Sequence, residues 1–128
     1  MIAVNTPYNE AVRYIENARD TLKRAGKMDG EYKDVKYVQT ASGTAYLGVL
    51  IALDEYLKRK EGNRYSQPQS IEDYQRRIAK QNKKVNKWLK IVYADLHLVG
   101  YYHGTTSYEV IRRGLENAEK IINLIKTN

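Results

Sequence analysis

A run of basic residues between Tyr74 and Asp95 is the feature of this sequence best suited to binding chemistry. The run holds seven cationic side chains and no acidic one: Arg76, Arg77, Lys80, Lys83, Lys84, Lys87 and Lys90. These seven account for the whole formal charge of +7, because the other 15 Lys and Arg are balanced by 15 Asp and Glu. Such a cluster indicates an anionic partner, and the phosphate backbone of RNA or DNA is the first candidate.

The spacing of the run places five of its members on one side of a helix. Positions 76, 80, 83, 87 and 90 recur at steps of four and three, which form a single stripe at 100° per residue. The apolar residues of the same segment face the other way, so the stripe is expected to face solvent, with Arg77 and Lys84 at its shoulder. Like charges four residues apart destabilise a helix by roughly 0.2–0.5 kcal/mol per pair. RNA or DNA backbone, or an acidic protein surface, would relieve that repulsion; an ordinary solvated face is the alternative.

Beyond Lys90 the outward direction of this helix becomes apolar, with Ile91, Ala94 and Leu98 continuing the line of the stripe. An apolar line on a solvent-facing side is expected to be covered. A second copy of the chain or an intramolecular segment would cover it, and we favour a homodimer. A strip of small residues in an earlier segment indicates either close intramolecular packing or a second dimer seam: Ala41, Ala45, Gly48 and Ala52.

No catalytic, cofactor-binding or metal site is predicted. Cysteine is absent, and the two histidines, His97 and His103, lack the spacing of paired metal ligands on a helix. The glycines form no phosphate-binding or dinucleotide-binding fingerprint. An exposed His103 beside two tyrosines could act as a general acid or base, but an ordinary polar turn is the simpler explanation.

Four amphipathic segments must position these residues. Helices are predicted over about 7–25, 35–61, 71–99 and 107–126, beginning at capping signals that include Thr6, Asp34, Ser70 and Thr106. The linker 27–33 is predicted to form a turn. Four helices with short connections predict an all-α, up-down-up-down four-helix bundle, with residues 1–128 as a single domain.

Composition places the chain among soluble globular proteins, with 42% hydrophobic and 29% charged residues. The longest uncharged stretch, Tyr37 to Leu53, is short for a membrane span and contains four hydroxyl or amide side chains. Met1 to Asn5 show neither the basic lead nor the apolar core of a signal peptide. We therefore expect a cytoplasmic protein with no membrane partner.

The pattern Glu10-Ala11-x-Arg13-Tyr14-x-x-Asn17-Ala18, followed by the segment 37–57, resembles the HEPN-like superfamily of small bacterial helical bundles. The closing Ala118-Glu119-Lys120-Ile121-Ile122 is similar to the last helix of that superfamily. The resemblance implies a four-helix bundle that often dimerises, in which some members cleave RNA and others bind partners or nucleotidyltransferases. The chain also resembles an uncharacterised group of small helical proteins from Bacteroides-type bacteria.

Ribonuclease members of that superfamily carry an arginine followed after four to six residues by a histidine. This chain has no arginine between Arg77 and Arg112, so neither histidine completes the motif, and Lys90 followed by His97 is the nearest approximation. On an α-helical wheel the two positions differ by about 20°.

We conclude that the sequence predicts a noncatalytic binding module that contacts nucleic-acid backbone or another anionic surface. The alternatives are a degenerate HEPN-type ribonuclease using His97 or His103, and a protein-binding partner of a toxin or nucleotidyltransferase.

Overall fold

The computed structural model describes residues 6–127, so the region weighed as a signal peptide, Met1–Asn5, lies outside it. The elements of the described part are α1 Pro7–Lys23, β1 Lys27–Met28, β2 Glu31–Tyr32, α2 Val35–Glu61, α3 Ile71–Gln81, α4 Lys83–Val92, a π-helical segment Tyr93–Tyr102 and α5 Tyr108–Ile125. A 3-10 turn, Gly62–Arg64, follows α2. The all-α prediction is confirmed apart from the small hairpin. Within residues 6–127 the structure has five α-helices where four were predicted, and the up-down-up-down topology stays a prediction.

The predicted capping residues begin three of the helices. Thr6, Asp34 and Ser70 each accept a hydrogen bond from a backbone N–H two or three residues further on, at 3.0–3.1 Å. These bonds satisfy N–H groups that have no partner within the helix. The cap of α5 is one residue later than predicted, because Ser107 rather than Thr106 accepts the bond from the N–H of Val110, at 3.3 Å.

The linker after α1 forms a two-stranded antiparallel hairpin, whereas only a turn was predicted. Lys27 pairs with Tyr32, and Met28 pairs with Glu31. Asp29 and Gly30 connect the strands with φ angles of 56° and 79°, and two successive positive values are typical of a tight hairpin turn. The backbone N–H of Tyr32 also donates to the carbonyl of Thr106 at 2.8 Å, which ties the hairpin to the start of α5.

The predicted continuous helix over 71–99 is corrected by a break at Asn82. Asn82 is extended, with φ −161° and ψ 108°, and its side chain accepts a hydrogen bond from the N–H of Val85 at 3.0 Å. Asparagine favours such positions because its amide competes with the backbone for hydrogen bonds. The single helix predicted over 71–99 is therefore two shorter helices, α3 and α4, followed by a further segment.

The second departure lies after Val92, where the chain continues as a π-helix through Tyr102. At its end the N–H of His103 donates to the carbonyl of Leu98, five residues back, at 2.9 Å. A π-helix is wider than an α-helix, so positions in this segment do not follow the 100° wheel.

The core forms where α2 packs against α1, α5 and the π-helical segment, while α4 packs along α5. A methyl group added at Gly48 would lie 2.8 Å from Cβ of Tyr14 and 3.1 Å from the carbonyl oxygen of Ala11. The small residues of α2 therefore allow close approach of α1, which supports the intramolecular interpretation of that strip. No helix within residues 6–127 has both the length and the apolar character needed to cross a bilayer.

Candidate anion-binding surface

The structure divides the seven basic residues into two arginines engaged within the protein and five lysines that are not. Arg77 is buried, with its side chain 10% exposed. Its guanidinium donates from Nε to Glu61 at 2.9 Å, from Nη1 to Asp73 at 3.1 Å and from Nη2 to the carbonyl of Ser66 at 2.7 Å. Arg76 is ion-paired with Asp73 as well. The expectation of a solvent-facing group of seven is thus corrected at Arg77, whose charge is used to hold α3 against the end of α2.

The pKa directions in this cluster agree with the geometry. The hydrogen bond to Glu61 raises the pKa of Arg77, and its bond to Asp73 acts in the same direction. Burial alone would raise the pKa of Asp73, but hydrogen bonds from the backbone of Gln69 and from Arg77 and Arg76 hold it below its usual value. Both shifts favour the charged forms of Arg77 and Asp73.

The remaining members form what we call the lysine face: Lys80, Lys83, Lys84, Lys87 and Lys90. All five side chains are exposed, and none forms an ion pair with a carboxylate among residues 6–127. Lys80 lies on α3 and the other four lie on α4. Within α4, positions 83, 87 and 90 share one side of the helix whatever the angle at Asn82.

A sixth lysine adjoins this face from α5. The Nζ atoms of Lys84 and Lys120 lie 6.0 and 5.9 Å from the ring centroid of Trp88. Trp88 is half-buried and packs against the core. Lys120 could not be assigned to this face from the sequence, because only the packing of α4 along α5 brings it there.

Lys80 also lines a cleft of about 580 Å³ between the end of α2 and α3. The basic lining residues are Lys60, Arg64, Arg76, Arg77 and Lys80, and the acidic ones are Glu61 and Asp73. The excess of cations is three, and the acidic pair is already bound to Arg76 and Arg77. The cleft is thus a second cationic region that continues from Lys80.

The two histidines lie in different surroundings. His97 lies in the π-helical segment between aromatic rings, with centroid distances of 4.7 Å to Tyr46, 5.2 Å to Tyr93 and 6.0 Å to Tyr101. His103 is exposed and contacts the ring of Tyr102 edge-on. No group of three or more His, Asp or Glu that could hold a metal occurs within residues 6–127.

Two further sequence-based expectations concern this region. The 20° relation between Lys90 and His97 assumed α-helical periodicity, and it does not hold because His97 lies in a π-helix. The dimer-seam candidates Ile91, Ala94 and Leu98 are all half-buried. The large apolar side chains exposed by half or more in α2 and the π-helical segment are instead Leu47, at 53%, and Tyr102, at 70%.

Fold and surface together define a small helical protein with one strongly cationic side. The chain belongs to the family described as "Domain of unknown function (DUF5618)", whose model matches residues 6–127. Among solved structures it is similar to a protein of unknown function from Dyadobacter fermentans, with 39% identity, a TM-score of 0.83 and coverage of 94% of this chain and 93% of that chain. No curated protein matches the sequence significantly. The resemblance to an uncharacterised helical family is therefore confirmed, while the HEPN-like relationship stays a prediction.

Proposed function

We propose that the protein is a noncatalytic binding module whose lysine face contacts the phosphate backbone of a nucleic acid. The observation that carries the proposal is the different use of arginine and lysine. Six arginines form ion pairs with carboxylates in residues 6–127: Arg13, Arg19, Arg76, Arg77, Arg112 and Arg113. The lysine face has no such partner, so its charge is available to a ligand.

The chemistry of lysine suits backbone contact without sequence readout. Its ammonium is a compact charge on a flexible stem, whereas base recognition commonly uses the planar fork of arginine. Each phosphate neutralised releases condensed counterions, and this release favours binding most strongly at low salt. The same release would offset the mutual repulsion of the lysines on α4.

Trp88 provides a direct signal of binding, because it is the single tryptophan of the chain and lies near Lys84 and Lys120. We expect titration with single-stranded RNA or duplex DNA to change its fluorescence. The logarithm of affinity should fall linearly with the logarithm of salt concentration, with a slope of roughly −0.7 to −0.9 per phosphate contacted.

The decisive variant is the triple substitution Lys83→Gln, Lys87→Gln and Lys90→Gln, which removes the three positive charges that share one side of α4. It should reduce the magnitude of the salt slope by about 2, since three contacts at roughly 0.7 each are lost. The matched control, Lys33→Gln, Lys36→Gln and Lys126→Gln, removes the same charge from exposed positions elsewhere. Equal binding by the two triple variants would refute the proposal.

A separate Lys80→Gln variant tests whether the cleft on α3 belongs to the same surface. We expect the magnitude of the salt slope to fall by roughly 0.7, which is the contribution of one phosphate contact. If acidic proteins bind while RNA and DNA do not, the ligand class is a protein surface and the nucleic-acid proposal fails.

The ribonuclease alternative is less well supported by the site. The arginines on either side of the histidines in the sequence, Arg77 and Arg112, are both held by pairs of carboxylates. His97 lies among aromatic rings rather than beside a free cation. Degradation of single-stranded RNA by the purified protein, lost on His97→Ala or His103→Ala, would reverse this preference.

We also propose that the protein acts in the cytoplasm as a homodimer. Ile91, Ala94 and Leu98 stay the candidate seam. Binding to a toxin or nucleotidyltransferase would use the same apolar region, so it is the competing proposal for that surface.

A further inference from the structure

A cavity of about 420 Å³ lies on the hairpin side of the molecule, separate from the lysine face. It is open to solvent on one side and is bordered by the second half of α1, the hairpin and the first half of α5. Its lining residues are Arg19, Leu22, Lys23, Gly26, Lys27, Tyr32, Tyr108, Arg112 and Leu115. The volume is within the range of small-molecule sites, roughly 300–1,000 Å³.

The lining combines an apolar floor with a cationic rim. Leu22, Leu115 and the rings of Tyr32 and Tyr108 supply the floor, and these rings lie 5.7 Å apart with a tilt of 60°. Four lining side chains are basic and none is acidic. Such an arrangement favours a ligand that is flat and apolar at one end and negatively charged at the other.

Backbone hydrogen bonds hold the floor in place without a ligand. Tyr32 donates from its N–H to the carbonyl of Thr106 at 2.8 Å, and Tyr108 donates to that of Gly30 at 3.3 Å. Thr106 donates from its hydroxyl to Glu31 at 2.6 Å. The two aromatic rings are therefore fixed by pairing of β2 with the segment before α5, which lowers the cost of ordering a binding site.

The rim arginines are positioned by carboxylates outside the cavity, and some of their N–H groups remain free to donate hydrogen bonds to a ligand. Arg19 donates one Nη2–H bond to Glu119 at 2.8 Å. Arg112 donates to Glu116 and to Glu109, both at 2.7 Å. Since a guanidinium has five N–H donors, four remain on Arg19 and three on Arg112.

Lys27 is the rim cation that has no carboxylate partner among the described residues. Its Nζ lies 4.0 Å from the ring centroid of Tyr108. The ammonium is thus held over the aromatic floor, at the place where the charged end of an amphipathic anion would meet it.

We propose that this cavity binds a small molecule with a planar apolar body and one carboxylate or phosphate group. The apolar body lies against Tyr32, the two leucines and the part of Tyr108 that Lys27 does not cover. The anionic group contacts Lys27 and the spare donors of the rim arginines. The proposal is independent of nucleic-acid binding, because none of its residues belongs to the lysine face.

The test uses the full chain, isotopically labelled, and three probes that share one ring system: 2-naphthoate, 2-naphthyl phosphate and 2-naphthylmethylammonium. We expect at least one of the two anions to produce saturable NMR shifts confined to residues 19–32 and 106–115, and the cation to produce none. The comparison of carboxylate with phosphate identifies the preferred anionic group.

Lys27→Gln should weaken anion binding about tenfold, as expected for loss of a charge-assisted hydrogen bond. Lys27 is exposed, so this variant keeps the fold, and Lys36→Gln serves as a control with the same charge change outside the cavity. Equal binding of the cation, shifts centred on Trp88, an unchanged affinity in Lys27→Gln, or no saturable shift with millimolar anion would each overturn the proposal.

Discussion

Neighbouring arginines with the same charge have different roles in this protein. Arg77 is buried between the carboxylates of Glu61 and Asp73, whereas the side chain of Arg76 is 61% exposed although it also contacts Asp73. Removing one partner from a buried ionic cluster leaves other charges without compensation, while an exposed ion pair is weakened by solvent. The burial of each side chain therefore decides its contribution to stability.

This contrast yields a prediction for unfolding. Arg77→Met should lower the free energy of unfolding by about 3 kcal/mol, because Glu61 and Asp73 lose the cation that lies between them. Arg76→Met should lower it by less than about 1 kcal/mol. Urea denaturation of both variants measures the difference, and similar values for the two would contradict the assigned role of Arg77.

The buried tyrosine Tyr46 leads to a prediction about alkaline pH. Burial raises the pKa of Tyr46 from 10.0 to about 12, and the neighbouring Tyr93 and Glu72 act in the same direction. The folded protein therefore holds this proton more tightly than the unfolded chain does. Its contribution to stability is complete below about pH 10 and is lost as the pH rises towards 12.

Tyr46→Phe should make the loss of stability between these pH values less steep, since the titrating hydroxyl is gone. Urea unfolding at a series of alkaline pH values measures this effect. Tyr102→Phe is the matched control, because Tyr102 is 70% exposed and its removal should leave the pH profile unchanged. A Tyr46→Phe profile identical to that of the wild type would show that burial of this hydroxyl is not coupled to stability.

At the scale of elements, the break at Asn82 sets the relation between the two helices that carry the lysine face. Its side chain caps α4 through the N–H of Val85, and its own N–H donates to the carbonyl of Ile78 at 2.8 Å. One residue thus ends α3 and begins α4. The buried Ile78 and Val85 on either side anchor both helices in the core.

We predict that Asn82→Ala lowers the free energy of unfolding by about 1 kcal/mol, the usual cost of losing an N-terminal cap. Alanine is the better helix former, but packing on both sides of position 82 prevents α3 and α4 from joining. Asn82→Ser keeps a capping oxygen and should retain most of the stability. If Asn82→Ala were as stable as the wild type, the break would be set by intrinsic helix propensity rather than by packing.

The π-helical segment is the other element that changes the functional interpretation. Its register stacks His97 between Tyr93 and Tyr101, with interplanar angles of 26° and 16°. Within it Asp95, whose side chain is 5% exposed, receives two hydrogen bonds from Arg113 of α5, at 2.7 and 2.9 Å. Together with the contact of His97 with Tyr46 of α2, these contacts hold the segment between α2 and α5.

At the scale of the whole molecule, the proposed functions of the cationic surface and of the apolar surface are tested by different assays. Salt-dependent binding tests the lysine face, while the molecular mass in solution tests the proposed homodimer. We expect sedimentation equilibrium to give a dimer for the wild type and a monomer for Leu98→Glu. Met28→Glu changes an exposed side chain on the hairpin and should leave the mass unchanged. A wild-type monomer at high protein concentration would exclude the dimer.

Periodicity and capping signals were sufficient to predict most of the helical structure. Thr6-Pro7, Asp34 and Ser70 mark helix starts by local chemistry, which acts within a few residues of the cap. The hairpin was not predicted because strands of two residues are too short to show an alternation of apolar and polar residues. The hairpin is also held by a hydrogen bond to Thr106, which is far away in the chain. The π-helix could not be predicted from a helical wheel either, because the wheel assumes 3.6 residues per turn.

The sequence by itself determined the helical class, the principal helix starts and the concentration of positive charge in one segment, since these depend on residue type and short spacing. Only the tertiary structure decided which cations are available. Glu61 reaches Arg77 from the end of α2, and Lys120 joins the lysine face from α5. Ion pairing depends on distances between elements, and these distances are established by burying the apolar faces of the helices rather than by the charges themselves.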